Sequence, residues 1–295
     1  MFVYIILATL AFVLFPDQAY AWGPGTHVEI AFSLLEKIRE FSPLIQQIIS
    51  GREEWFVYGN IAADTIVGKK FAGEHHHCHN WHVAQKVLSR AKTDREKAAA
   101  LGYLTHLASD VVAHNYYIPF KMMESYRARF LSHTYWEMRF DMHVRPSVWK
   151  KMSRMIKGDF SPFDRLLERT LKRALFSFRT SKRIYAGILA VQKLGRLRGT
   201  FSIYARRSRF KLDTKEISHY RRLATAFAGE ALMDPEGAHC LSLDPTGDKE
   251  ISGAKAMRRR LKKHRGNKEA LLAILKKELY EKLTDLKCSS SSQKR

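Results

Sequence analysis

Cysteine is scarce in this chain. The three residues Cys78, Cys240 and Cys288, among 295, exclude a disulfide framework. They leave room for one pair, most simply Cys240 with Cys288, if the protein matures in an oxidising compartment. Strand patterns are missing too: no stretch alternates apolar and polar residues convincingly, and "WFVY" at 55–58 is a short exception. There is no internal repeat, which excludes a repeat array. No Lys or Arg precedes the apolar run "FVYIILATLAFVLF" at 2–15, and that run is shorter than the roughly 20 residues a comfortable membrane span needs. It ends in "PDQ" and then Ala19-Tyr20-Ala21, the small-x-small pattern of a secretory cleavage site. The expectation is a signal peptide over 1–21, cut after Ala21, and a secreted or periplasmic protein that begins at Trp22.

Acidic residues are sparse only in one part of the chain. Residues 1–137 carry 13 Lys+Arg and 13 Asp+Glu, whereas residues 138–295 carry 38 and 16 and so hold the whole net charge of +22. A basic half beside a neutral half points to an anionic partner, either lipid head groups or nucleic acid. A hydrophobic content of 45% with 12% aromatics excludes a disordered chain.

What is present is helical periodicity, and the expected fold class is all-α. "HVEIAFSLLEKIREF" spaces Ile30, Leu34, Leu35 and Ile38 as one helix face, ended by Ser42-Pro43. Thr93 with Glu96 three residues on forms a capping box ahead of a periodic run through Val112. "ESYRARFLSHTYWEMRFDMHV" at 124–144 reads as a further helix stopped by Pro146. Basic amphipathic helices follow over roughly 161–177, 184–197, 214–233 and 267–287, and "SSSSQKR" reads as a frayed tail. The expected organisation is a catalytic region over 22–145 and a basic helical region over 146–232. A turn-rich loop or linker over 233–253 then leads to basic helices and a tail over 254–295.

Chemistry concentrates in the first 141 residues. His106, Asp110 and His114 stand at i, i+4 and i+8, one turn apart on one face, and His133, Glu137 and Asp141 repeat the device. A single pair of this kind is commonly a solvated contact. Two stripes within 40 residues, the histidine-dense "EHHHCHNWH" at 74–82 and Asp64 in "GNIAADTI" supply too many ligands for one ion. Imidazole and carboxylate together suit zinc, and carboxylates can bridge neighbouring ions. A mature terminus at Trp22 would add an amine beside its own carbonyl oxygen, with His27 five positions on.

The segments "WGPGTHVEIAFSLL", "YGNIAADTIVGKK", "HCHNW", "GYLTHLASDVVAHN" and "HTYWE" together resemble the zinc-dependent phospholipase C family. That family includes the amino-terminal domain of glycosylphosphatidylinositol-specific phospholipase D, and the S1/P1 nucleases look like more distant relatives. The resemblance runs from residue 22 to about 141. It implies an all-helical fold with three zinc ions in a cleft between helices. Asp64, one histidine of "HCHNW" (His79, or else His77), His106 and Asp110 would hold the first. His114, His133 and Glu137 would hold a second, more accessible one, and the Trp22 terminus with His27 the third, bridged by Asp110. Asp64 would also orient or deprotonate the attacking water. The implied activity is that of an exported phosphodiester hydrolase, a phospholipase C; the basic half, which the resemblance does not cover, would by its charge hold it on an anionic membrane surface. An extracytoplasmic nuclease binding nucleic acid through the same half is the alternative, and a zinc-stabilised module without turnover is the third reading.

Overall fold

The computed structural model describes residues 22–65, 78–127, 133–155, 158–171, 210 and 212–291. Every regular element among them is a helix, and the fold is all-α. In chain order the helices are α1 (Pro24–Glu36), α2 (Pro43–Ile49), α3 (Glu53–Ala62), α4 (Trp81–Arg90), α5 (Asp94–Val112) and α6 (Ile118–Glu124). They continue with α7 (His133–Asp141), α8 (Pro146–Met155), α9 (Ser161–Thr170), α10 (Thr214–Met233), α11 (Asp248–Lys263) and α12 (Lys268–Ser291).

The centre of the molecule is the pair α3 and α5. Trp55 through Ala62 are all buried in α3, and so are Ala98 through Val112 in α5. Over those residues both helices are buried on every side, so "WFVY" is not a strand but one turn of a central helix. The two helices touch through their backbones. A Cβ on Gly59 would lie 1.9 Å from the Ala99 carbonyl oxygen, and one on Gly102 would lie 2.0 Å from that of Phe56. Only glycine fits such an approach. Around this pair pack α1, α4 and α10, while α11 lies over α6.

Local sequence sets most helix starts. The capping box forms as expected, with Glu96 N–H donating to Thr93 Oγ1 at 3.2 Å and Thr93 N–H to Glu96 Oε2 at 3.0 Å. Asn80 caps α4 and Asp213 caps α10. The cap of α1 comes from far away. Gly23 has no side chain to offer, and the buried Asp141 carboxylate accepts from Thr26 N–H at 2.7 Å, Gly25 N–H at 3.3 Å and the Thr26 hydroxyl at 2.8 Å.

Several sequence expectations shift. The helix expected over 124–144 is two elements. Its first residue, Glu124, closes α6, where Tyr126 N–H turns back to the Met123 carbonyl at 3.1 Å. The second element, α7, ends at Asp141, whose side chain is drawn to α1, so Pro146 opens α8 and does not stop α7. The helix expected over 161–177 ends at Thr170, with Leu171 turned out of helical geometry at φ −100°, ψ 56°. The one expected over 184–197 lies outside the described residues. Helix α12 runs on to Ser291, into the expected tail. The segment 233–253 is turn-rich but anchored. It contains a short 3₁₀ turn at His239–Ser242, and its Leu243 carbonyl accepts the Trp81 indole N–H at 2.7 Å. Cys78 and Cys240 are buried free thiols, so the pairing of Cys240 with Cys288 is not made.

Candidate metal centre

Helix α5 continues past Val112 into a π turn, Ala113–Tyr117, before α6 begins. Pro119 accounts for the irregularity, because it lacks the N–H that the Asn115 carbonyl would need and its ring crowds that carbonyl. The wider turn leaves the Val111 carbonyl to be met by the Asn115 side-chain amide at 2.9 Å. His106 and Asp110 therefore stand on regular helix, while His114 stands in the π turn.

His27 from α1, Asp64 from the 3₁₀ turn after α3, His79 from the approach to α4, and His106 with Asp110 from α5 meet in the core, none more than 2% exposed. His79 Nε2 lies 3.3 Å from Asp64 Oδ1, 3.1 Å from Asp110 Oδ2 and 3.0 Å from His106 Nε2. His106 Nε2 is 3.2 Å from Asp110 Oδ2, and His27 Nε2 is 3.2 Å from Asp110 Oδ1. The rings of His27 and His106 stack at 3.8 Å.

The other ring nitrogens fix the tautomers. His106 Nδ1 faces the Asn60 carbonyl at 2.7 Å, which only accepts, so Nδ1 carries the proton. The Ser109 hydroxyl donates to the His106 carbonyl at 2.8 Å, so its oxygen accepts from His27 Nδ1 at 3.1 Å. Both imidazoles therefore turn an Nε2 lone pair towards two buried carboxylates. His27 Nε2 and both Asp110 oxygens are buried without a well-formed hydrogen bond. Lone pairs and carboxylates collected in a dry core repel one another, and a divalent cation is the group that would make the arrangement favourable. The donor set of imidazole nitrogen and carboxylate oxygen fits zinc.

Protonation favours ligation as well. Burial, and then the neighbouring His106, lower the pKa of His27 despite the opposing Asp110 and Asp64. Burial pushes the Asp110 carboxyl up, but His106 and His27 together outweigh it and hold the group well below the ordinary carboxylate range. Neutral imidazole and ionised carboxylate are the metal-binding forms.

A second group joins His114, His133 and Glu137. His114 Nδ1 meets the Pro245 carbonyl at 2.6 Å and so is protonated there, leaving Nε2 for the site. The His133 ring stands edge-on to His114 at 5.0 Å, and its Nε2 lies 2.8 Å from Glu137 Oε1. The His133 side chain is 15% exposed, which makes this the more accessible group. Gly247, in left-handed conformation at φ 58°, closes over it. A Cβ there would lie 2.6 Å from that of His114.

Trp22 is fully buried. Its indole N–H donates to the Ser109 carbonyl at 2.9 Å and its ring stacks on Tyr117 at 5.1 Å. It is thus seated one residue from Asp110. His75, His76 and His77 lie outside the described residues, and His79 is the histidine of that segment found in the group. Asp141, aligned by spacing with His133 and Glu137, is instead the cap of α1. Sequence reasoning missed Ser109, Asn60 and Pro245, which orient the imidazoles. Ser109 stands three residues after His106, a spacing that could have drawn attention. The Asn60 and Pro245 contacts are made by backbone carbonyls, which leave no residue-type signal.

A family model described as zinc-dependent phospholipase C matches residues 26–180, just over half of the chain. That span contains every residue of both groups. No curated protein and no solved structure matches the chain significantly.

Proposed function

The chain belongs to the zinc-dependent phospholipase C family, and on that premise we propose that it is an exported hydrolase that cleaves phospholipids into diacylglycerol and a phosphorylated head group. The observation that carries this reading is the convergence of His27, Asp64, His79, His106 and Asp110 in a dry core, with a second, more open group beside it. We assign His79, Asp64, His106 and Asp110 to one zinc and His114, His133 and Glu137 to another. His27 and the terminal amine of Trp22 would hold a third, with Asp110 shared. Zinc held there would supply Lewis-acid chemistry, making a water more acidic and offsetting charge on the phosphodiester.

The protein's own groups do the rest. Asn60, Ser109 and Pro245 hold three imidazoles in one tautomer, so that no reorganisation accompanies ligand binding. Asp64 would orient a water and take its proton. His133, 15% exposed at the more open group, would meet the head group. Export depends on residues 1–21, outside the described residues; no described helix is long and apolar enough to cross a membrane.

The assay is direct. Zinc-loaded protein beginning at Trp22 is expected to release phosphorylated head group from mixed phosphatidylcholine–phosphatidylglycerol vesicles and to leave single-stranded DNA intact. Degraded DNA with untouched lipid would replace this reading by that of a nuclease. A separate measurement addresses the terminus. One residue added ahead of Trp22 is expected to lower the zinc content, and full occupancy in that variant would reject the terminal chelate.

A further inference from the structure

Among the described residues, a strongly charged feature not used by the centre lies on α11. Between Glu250 and Glu269 the sequence has no acidic residue and eight Lys or Arg, from Lys255 to Lys268. Ile251, Ala254 and Leu261 turn inward and are buried. Lys255, Arg259, Lys262 and Lys263, at i, i+4, i+7 and i+8, form the outward stripe and are exposed. None of these four, nor Arg260 or Arg265, makes an ion pair among the described residues.

This stripe is mounted on the wall of the second metal group. The glycine that starts α11, Gly247, presses against His114, and Asp244 just ahead of it accepts the Asn115 side chain at 2.7 Å. Lys255 follows Gly247 by eight residues, about 12 Å along the axis. The charges therefore begin within a phospholipid's reach of the more open end of the centre.

We propose that the exposed stripe of α11 is a landing surface for an anionic lipid bilayer, which turns the His114–His133–Glu137 group towards the membrane. The inference rests on the phospholipase reading above. A polybasic run of single sign draws anionic head groups whatever their detailed structure. Residues 255–268 hold no Phe, Tyr or Trp on which bases could stack, and such stacking is half of what a single-strand surface uses.

The test uses the zinc-loaded full-length mature chain and two variants. One carries Lys255→Gln, Arg259→Gln, Lys262→Gln and Lys263→Gln, and the other exchanges Lys and Arg at the same four positions. Binding to phosphatidylglycerol–phosphatidylcholine vesicles is measured by co-sedimentation, binding to single-stranded DNA by titration, and hydrolysis on a short-chain phosphatidylcholine kept below its micelle concentration. The glutamine variant is expected to lose vesicle affinity several-hundredfold, roughly fivefold per residue. The charge-keeping variant should bind as the parent does, and all three should hydrolyse monomeric lipid equally. Vesicle binding by the glutamine variant within about threefold of the parent would overturn the proposal, as would loss of DNA binding in place of vesicle binding. If the parent fails on monomeric lipid, the phospholipase reading falls, while the vesicle comparison still judges the surface on its own.

Discussion

Ser109 makes three connections from one position. Its hydroxyl proton goes to the His106 carbonyl, its hydroxyl oxygen accepts from His27, and its own carbonyl takes the Trp22 indole. Ser109→Ala would leave the His27 Nδ1–H buried without a partner and free the ring to change tautomer. We expect zinc affinity to fall about 10- to 100-fold while helix content stays unchanged, as measured by competition with a coloured chelator and by circular dichroism. Unchanged affinity would show that ring stacking alone orients His27. Residue-scale features were legible where chemistry is written in side chains at helical spacing. His106 with Asp110 and His133 with Glu137 are of that kind. Asp141 misled for the same reason, since its spacing extends a stripe whose helix stops at that residue.

At the scale of elements, α6, α10 and α12 are tied by charge. Lys121, 1% exposed, meets Glu124 at 2.8 Å and Glu216 at 2.6 Å, and Lys276 of α12 also pairs with Glu124. Burial pushes both carboxyls up. For Glu124 the attraction of Lys121, joined by Lys276, outweighs it and the pKa is lowered; for Glu216 burial prevails, Glu124 adds to it, and the pKa is raised. The two signs oppose each other. The Glu124 contribution is present above its unfolded pKa and is lost as pH falls through the lower folded value. That of Glu216 is complete below its unfolded pKa and is lost as pH rises through the higher folded value. Glu124→Gln should therefore flatten the acid limb of a stability–pH curve measured by urea unfolding, and Glu216→Gln should flatten the limb just above it. A parallel offset of the whole curve in either variant would refute the linkage. Element boundaries were legible where caps are local, as at Thr93 and Asn80. They failed at 124–144, because the end of α7 is set by a contact with α1, far away in sequence.

Over the whole molecule, the candidate metal ligands come from α1, α5, the π turn after it, α7, the turn after α3 and the approach to α4, so ions held there would act as cross-links between most of the core. Removing them leaves two carboxylates and three imidazoles facing one another without water. Chelation should lower the thermal midpoint substantially: a site held at 1,000 times its dissociation constant contributes about 4 kcal/mol. Calorimetry with and without chelator measures it, and an unchanged midpoint would mean that the helices assemble without help from metal. The fold class and the ligand-rich half were legible because helical periodicity and ligand spacing are local properties. The wall built by residues 243–247 was not, because it acts through backbone atoms and a glycine.

The cap of α1 has a bearing on how the molecule comes to exist. Helix α1 waits for a carboxylate 115 residues behind Thr26, and until that residue is available its Gly25 N–H has only solvent to bond. Completion of the amino-terminal segment is thereby postponed to a late stage of assembly. Delivery of His27 to the cluster is postponed with it, so that a nascent chain short of Asp141 holds an unfinished centre.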